Sequence, residues 1–152
     1  MRLTVKEMAV FGMLAGLMFA PSRLWRCCPT STCWGVHHCH HPGLPAEGLY
    51  PIYGFVLIQG LFSGFALWWI PYLYLWTVLW GAAMLLLPRD LGRVKPLQVM
   101  LLCAAHGYLY GTLYAPAQAL LFGLDWKGMV TWILAGLPWD FVHGTSNFFC
   151  GC

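Results

Sequence analysis

The stretch LYPIYGFVLIQGLFSGFALWWIPYLYLWTVLWGAAMLLL, residues 49–87, contains no charged side chain. A helix crosses the hydrocarbon core of a bilayer with roughly 20 apolar residues, so this stretch is long enough to cross twice. Pro71 suits the first turn of a second helix. The stretch therefore predicts two transmembrane helices, 49–69 and 71–87, joined by an uncharged turn at 69–72.

The composition of the whole chain agrees with a membrane protein. Hydrophobic residues make up 60% and charged residues 9% of the 152 residues, whereas soluble domains carry about 25% charged residues. Nine Trp, nine Phe and seven Tyr fit aromatic belts at membrane surfaces. The low charged fraction disfavours soluble, disordered and nucleic-acid-binding classes. The net charge of +3 is small, and its basic residues lie in separate short loops and not in one patch. We expect one all-α integral membrane domain over 1–152.

The positive charges predict the topology. Further apolar runs cover 8–20, 97–123 and 128–152. Basic residues in the N-terminus and in the loop 89–95 place both in the cytoplasm, whereas the turn at 69–72 is expected outside. An even number of crossings must separate the two cytoplasmic segments, yet only three apolar runs lie between them. A second span is therefore missing, and it must fall within 21–48.

Residues 21–48 read PSRLWRCCPTSTCWGVHHCHHPGLPAEG and differ in composition from the rest of the chain. They hold four of the seven Cys and four of the six His, and such ligands suit zinc or copper. The spacing matches no closed zinc motif, and we expect no metal. A shifted reading frame offers another explanation, because 24–35 then reads VEMLPNIHLLG and 36–48 reads FIIAITLVYRRKA. We interpret 21–48 as a frame-shifted second span; a metal site and an unusual loop are the alternatives.

The other cysteines fit this interpretation. The end of the chain, FCGC at 149–152, stops within an apolar run, and a lost base there predicts that the natural sixth helix continues for a few more residues. Cys103 lies in mid-span, where a free Cys behaves as a small apolar residue and needs no disulfide.

Four stretches carry a resemblance to a known family: LTVKEMAVFGMLAGLMFA at 3–20, residues 49–81, HGYLYGTLYAPAQALLFGL at 106–124, and GLPWDFVHGTSNF at 136–148. The chain resembles the substrate-specific (S) components of energy-coupling factor (ECF) transporters, the ABC importers of vitamins in bacteria and archaea. The resemblance covers most of the chain outside 21–48. The stretch LPWDFVHGTSN is distinctive, whereas the apolar runs are not.

The resemblance implies a six-helix membrane bundle with a cytoplasmic N-terminus, here with a scrambled second helix and a truncated sixth. It implies a multi-pass protein of a prokaryotic cell membrane that captures a small water-soluble vitamin or related micronutrient. The partners implied are a transmembrane coupling subunit and two ATPase subunits. The small residues Gly12, Gly16 and Ala20, spaced at four, match the face that docks on the coupling subunit; ordinary helix packing is the alternative.

Asp140, His143 and Asn147 are the strongest candidates for substrate contact. Their spacing of three and then four places them on one helix face, and a charged residue within a membrane span suggests function. Pro138 just before them can free backbone carbonyls for a ligand. The alternative is a buried pair, Asp140 with His143, that only ties helices together.

Further candidates lie toward the predicted outer side. Gln118 is a possible pocket residue, and His106 is more typical of a structural group. Trp68, Tyr72 and Trp76 belong to an aromatic group that forms either an interfacial belt or a wall on which a flat heterocycle stacks.

Three rival functions stay open at this point. Asp140 and His143 suit an acid–base pair in a membrane-embedded enzyme, although we expect no enzyme. The Cys/His group at 27–41 suits a metal-binding protein, and a frame-shifted product has no activity. We expect no cofactor, because no P-loop and no HExxH motif occur in the sequence; ATP would act through the partner subunits.

We predict that the encoding DNA, resequenced across codons 20–50 and beyond codon 150, restores an apolar second span and a longer sixth helix. That outcome removes the metal site. DNA that confirms the chain as written contradicts the frame-shift interpretation and makes metal binding the next assay.

Overall fold

The computed structural model describes residues 8–13, 15–16, 48–88 and 93–150. Helices and short connections make up these ranges, with no β-strand among them, and the all-α prediction is confirmed there. Residues 8–13 and 15–16 are helical. Five further helices follow: α1 (Leu49–Ser63), α2 (Trp69–Leu86), α3 (Pro96–Tyr108), α4 (Tyr110–Phe122) and α5 (Trp126–Cys150).

The connection between α1 and α2 lies earlier than predicted. Helix α1 ends at Ser63 because Gly64 has φ +86°, a left-handed conformation that glycine adopts without steric cost. Residues 64–68 join the helices, and Pro71 falls in the first turn of α2. The prediction of a turn at 69–72 was therefore wrong. The indole Nε1 of Trp69 donates a 2.7 Å hydrogen bond to the carbonyl of Val56 and closes this corner.

The predicted single run 97–123 is two helices, interrupted at Leu109. Leu109 has φ −94° and ψ 0°, and its N–H still donates to the carbonyl of Ala105 at 3.0 Å. The interruption coincides with hydrogen bonds from the backbone N–H of Gly111 to the carboxylate of Asp140. Side-chain acceptors that engage a backbone donor are a recognised cause of such a break.

Helix α5 begins at Trp126, two residues before the predicted start of the last apolar run. The carboxylate of Asp125 accepts a 2.7 Å hydrogen bond from the N–H of Gly128 and so caps the helix. Pro138 lies inside α5, which continues through it to Cys150. Because proline has no N–H, the carbonyl of Leu134 lacks its usual helical donor.

The core joins the N-terminal helical residues to α1, α2 and the start of α3. Ala15 packs against Gly54, where a Cβ would lie 3.1 Å from the Ala15 Cβ. Ten buried residues form the main cluster: Ala15, Ile52, Phe55, Val56, Trp76, Leu79, Ala83, Leu87, Val99 and Cys103. Helix α5 packs against α3 and α4 and forms a second layer with them. Cys103 is disulfide-bonded, which corrects the expectation of a free thiol.

Within the described ranges, α2 is the one helix whose length and hydropathy both suit a membrane crossing. The core helix of a soluble protein can share these properties. Helix α1 is apolar but has 15 residues; at 1.5 Å per residue it is about 23 Å long, short of a bilayer core of about 30 Å. The predicted second span at 21–48 and the end at 151–152 lie outside the described residues.

Leucines at two positions of α2 provide a matched test of the packing. Leu75 is 0% exposed and Leu85 is 86% exposed. We expect Leu75→Ala to lower the free energy of unfolding by about 2–5 kcal/mol, because it leaves a cavity, and Leu85→Ala to change it by less than about 1 kcal/mol. Denaturant unfolding in detergent micelles measures both. Equal losses would contradict the packing of α2.

Candidate functional site

Helix α5 runs antiparallel to α3 and α4 along a seam that holds the predicted polar residues. Asp140 faces Gly111, Gly144 faces Gly107, and Asn147 faces Cys103. Residue numbers rise along α5 while they fall along the opposite side, so these three pairs occupy successive turns. The seam therefore places two of the predicted site residues, Asp140 and Asn147, against backbone groups of the neighbouring helices.

Asp140 is 4% exposed and bonds to backbone rather than to a cation. Its two carboxylate oxygens accept from the N–H of Gly111 at 3.0 and 3.1 Å. A Cβ on Gly111 would overlap the Asp140 carboxylate. Glycine at 111 is therefore required for this close approach.

One turn further along the seam, two glycines let the backbones meet. A Cβ on Gly107 would lie 2.8 Å from the backbone of Gly144, and a Cβ on Gly144 would overlap the ring of Tyr108. The hydroxyl groups of Tyr108 and Thr145 lie 3.1 Å apart, within hydrogen-bonding distance. Small residues at such positions permit close helix contact, as in the interfaces of membrane helices.

Asn147 ends the buried seam. It is 6% exposed, and its Nδ2 donates to the carbonyl of Cys103 at 3.0 Å. Its Oδ1 is buried without a hydrogen-bond partner. Asp140 and Asn147 thus both tie α5 to its neighbours, but through backbone groups and not through the expected pair of Asp140 with His143. The Oδ1 of Asn147 stays without a partner.

A connected set of rings, here called the ring cluster, extends from the seam to α2. On α2, the ring of Tyr72 lies 5.3 Å from Trp68 and 5.9 Å from Trp76, both edge-on. The ring of Trp76 lies 5.8 Å from His106. Phe55 of α1 also contacts Trp76 edge-on but belongs to the core. The ring cluster is defined by eight other residues: Trp68, Tyr72, Trp76, His106, Tyr110, Tyr114, Trp132 and His143.

Tyr110 connects the two sides of the ring cluster. Its ring lies 6.2 Å from His106, 6.0 Å from Tyr114 and 5.6 Å from His143. Its side chain also lies close to that of Tyr72. Predicted site residues of α2 and of α5 therefore belong to one aromatic assembly.

His106 lies inside the ring cluster with a partner of its own. It is buried, and its Nε2 lies 3.2 Å from the carbonyl of Leu75. This contact agrees with the expectation of a structural histidine. Its ring nevertheless joins Trp76 to Tyr110, so it positions the rings around it.

Three predicted site residues keep a buried polar atom without a hydrogen-bond partner: Nε1 of Trp76, Nδ1 of His143 and Oδ1 of Asn147. Two more such atoms, Gln59 Oε1 and Trp80 Nε1, belong to neither the seam nor the ring cluster. Buried polar atoms are paired in the great majority of cases, so each exception calls for an explanation such as a bound ligand.

Gln118 lies near the ring cluster without a contact to it among the described interactions. It follows Tyr114 by one helical turn and is half-buried. The hydroxyl of Tyr114 donates to the carbonyl of Trp68 at 3.1 Å, so Gln118 sits at the same end of the bundle as the start of α2. This is the end that the positive-inside rule predicts to face outward.

Gly12 and Gly16, predicted to dock on a partner, have open space where a Cβ would lie. Ala15, between them, faces α1 instead, and the ring of Phe11 stacks on Tyr50 at 5.7 Å. The two glycines are thus not used in contacts to the described helices. Ala20 lies outside the described residues.

Sequence reasoning missed Tyr110, Tyr114 and Trp132 of the ring cluster and the glycines that form the seam. A signal was present, because HGYLYGTLY places Gly107 and Gly111 four residues apart, and likewise Tyr110 and Tyr114. Such spacing gives each pair one helix face. Trp132 had no comparable signal, and its stacking on Tyr114 at 5.7 Å follows from the tertiary fold.

In the described part of the chain, no group of three or more His, Cys, Asp or Glu side chains is arranged to hold a metal ion. The Cys/His group at 27–41 lies outside it. The chain matches no known family model, no curated protein and no solved structure.

The seam predicts a contrast between two glycines. We expect Gly111→Ala to lower the free energy of unfolding by about 1–3 kcal/mol, because the new methyl group displaces the Asp140 carboxylate. Gly136 on α5 has open space at its Cβ position, so Gly136→Ala is expected to be neutral or to stabilise by about 0.5–1 kcal/mol. Chemical denaturation of both variants checks this. The packing of the seam is contradicted if Gly111→Ala is as stable as the parent.

Proposed function

We propose that the chain is the substrate-binding membrane subunit of an ECF-type ABC importer. It captures a small water-soluble vitamin or related micronutrient outside the cell, and its partners are a transmembrane coupling subunit and two ATPase subunits. The single observation that carries the proposal is the set of buried, unpartnered polar atoms on Trp76, His143 and Asn147. The first two residues belong to the ring cluster, and Asn147 follows His143 by one turn.

An unpartnered buried polar atom costs free energy in the empty protein, and a ligand that pairs with it recovers that loss. Ligand sites are mostly apolar and aromatic with a few polar atoms that fix orientation. The ring cluster supplies the aromatic surface, and the three atoms supply the polar contacts. This combination suits a small, flat and water-soluble molecule.

The outer surface supports a membrane location. Each of the five helices exposes large apolar side chains, such as Leu61 on α1, Leu86 on α2, Leu101 on α3, Leu120 on α4 and Trp139 on α5. Apolar surface of this extent is unusual on a soluble monomer and indicates contact with lipid or with other proteins. The proposed location is the cell membrane of a prokaryote, which the chain crosses several times with its N-terminus in the cytoplasm; the exposed apolar side chains support the membrane part of this proposal.

The state of Asp140 favours binding over acid–base catalysis. Its carboxylate is buried and both oxygens accept from the N–H of Gly111. A general acid or base must reach the proton that it transfers. A carboxylate held in this way serves to fix α4 against α5, so we propose no enzyme.

Substitutions of two tryptophans on α2 distinguish a ligand contact from a structural role. Trp76 and Trp80 both have a buried, unpartnered Nε1, but only Trp76 belongs to the ring cluster. Replacement of either by Phe removes the N–H and keeps an aromatic ring. We expect Trp76→Phe to lower the amount of small molecule that co-purifies with the chain at least tenfold, and Trp80→Phe to leave it unchanged.

The measurement is mass spectrometry of small molecules released from the full chain after mild purification from membranes. Loss of the ligand in both variants, or in neither, contradicts the role given to Trp76. The thermal unfolding midpoint of each variant serves as the control for folding.

A substitution at an N-terminal glycine tests the proposed association with the coupling subunit. We expect the tagged chain to co-purify with the coupling subunit and both ATPase subunits of its own organism, and Gly12→Leu to lower the yield of this complex at least fivefold. Gly136→Leu is the matched control, because both glycines have open space at the Cβ position. Failure of the unmodified chain to co-purify with these subunits would overturn the importer proposal.

A further inference from the structure

Asp140 carries the one formal negative charge along the seam and ring cluster in the described part of the chain. The described cations lie at helix ends: Arg93 and Lys95 precede α3, and Lys127 lies in the first turn of α5. At 1.5 Å per residue, Lys127 is about 20 Å from Asp140 along the axis of α5. Asp140 is therefore the one formal charge within the seam and ring cluster, with the titratable His143 one helical turn away.

The aromatic ring faces add to the negative potential of the carboxylate. The faces of Trp and Tyr rings carry the negative part of a quadrupole, so they attract cations and stack on flat, electron-poor rings. Trp76, Tyr110 and Tyr114 succeed one another through ring contacts from α2 to α4, with His106 between the first two. An anionic ligand group among these faces meets repulsion from both the rings and Asp140.

The unpartnered atoms define the hydrogen-bonding groups that the ligand must carry. The indole Nε1 of Trp76 only donates, so it requires an acceptor such as a ring nitrogen or a carbonyl. Oδ1 of Asn147 only accepts, so it requires an N–H or O–H. Nδ1 of His143 takes either role, according to its tautomer. A nitrogen heterocycle with a ring acceptor and an amino or hydroxyl donor satisfies this set.

We propose that the ring cluster binds a planar nitrogen heterocycle of zero or positive net charge and rejects its carboxylate and phosphate derivatives. This inference rests on the proposed function for the idea of a captured nutrient, and it adds the chemical class. Stacking selects planarity, the unpartnered atoms select the nitrogen and its donor, and Asp140 with the ring faces selects against negative charge.

The test uses pairs of probes that differ in one anionic group: nicotinamide and nicotinate, pyridoxine and pyridoxine 5′-phosphate, thiamine and thiamine monophosphate. Quenching of tryptophan fluorescence reports binding to the full chain in lipid nanodiscs. We expect at least one non-anionic probe to bind, and its anionic counterpart to bind at least tenfold more weakly. Equal or tighter binding of an anionic member overturns the proposal, and so does the absence of binding by every non-anionic probe.

A charge-neutral variant tests whether Asp140 causes the preference against anionic probes. We expect Asp140→Asn to reduce the preference within the bound pair at least fivefold, because the repulsion of the anionic member is lost. Asp125→Asn is the control, since Asp125 is exposed and caps α5. An unchanged preference in a folded Asp140→Asn variant overturns the role of Asp140. If that variant does not fold, the comparison of paired probes on the unmodified chain still decides the charge preference.

This experiment and the test of the importer fail separately, because binding in nanodiscs needs no partner subunit. Charge-selective binding by a chain that forms no complex with the coupling and ATPase subunits leaves the chemical class standing and removes the importer function. A chain that forms the complex but binds only carboxylate or phosphate probes keeps the importer function and loses the proposed chemical class.

Discussion

The hydrogen bonds between the N–H of Gly111 and the carboxylate of Asp140 are the constraint on which the rest of the site depends. A carboxylate away from water must be paired, and here its partner is a backbone donor at the point where one predicted helix becomes two. The pairing brings α5 against α3 and α4 and leaves room for no side chain at residue 111. The break between α3 and α4 and the need for glycine at residue 111 therefore both follow from this contact.

The same contact determines where the rings lie. Once Asp140 is fixed on Gly111, the neighbouring residues His143 and Tyr110 are brought together at 5.6 Å, and Tyr110 meets Tyr72 from the opposite side. Helix α5 then contributes two rings, His143 and Trp132, to an assembly whose other members come from α2 and the connection before it, from α3 and from α4. Aromatic side chains from separate helices thus meet in one part of the bundle, and ligand sites are often found between the helices of bundles.

Packed groups and unpartnered polar atoms occur within the same side chains. In Asn147 the amide nitrogen ties α5 to the carbonyl of Cys103, while the oxygen has no partner. In the ring cluster, the rings pack while the polar atoms of Trp76 and His143 lack partners. A merely structural seam gains nothing from buried unpartnered groups, because each one costs free energy. Their presence on residues that also pack well is what favours a ligand.

The sequence by itself determined the helical class, the apolar stretch that includes α2, and the shared face of Asp140, His143 and Asn147, because hydrophobic content and residue spacing are local properties. It did not determine the break at Leu109, since that break follows from an acceptor on another helix. Likewise the ring cluster required the tertiary structure, because contacts such as Trp132 with Tyr114 join residues whose separation along the chain gives no sign of proximity. Local patterns predict which face of a helix is special, but only the packing of helices decides what that face meets.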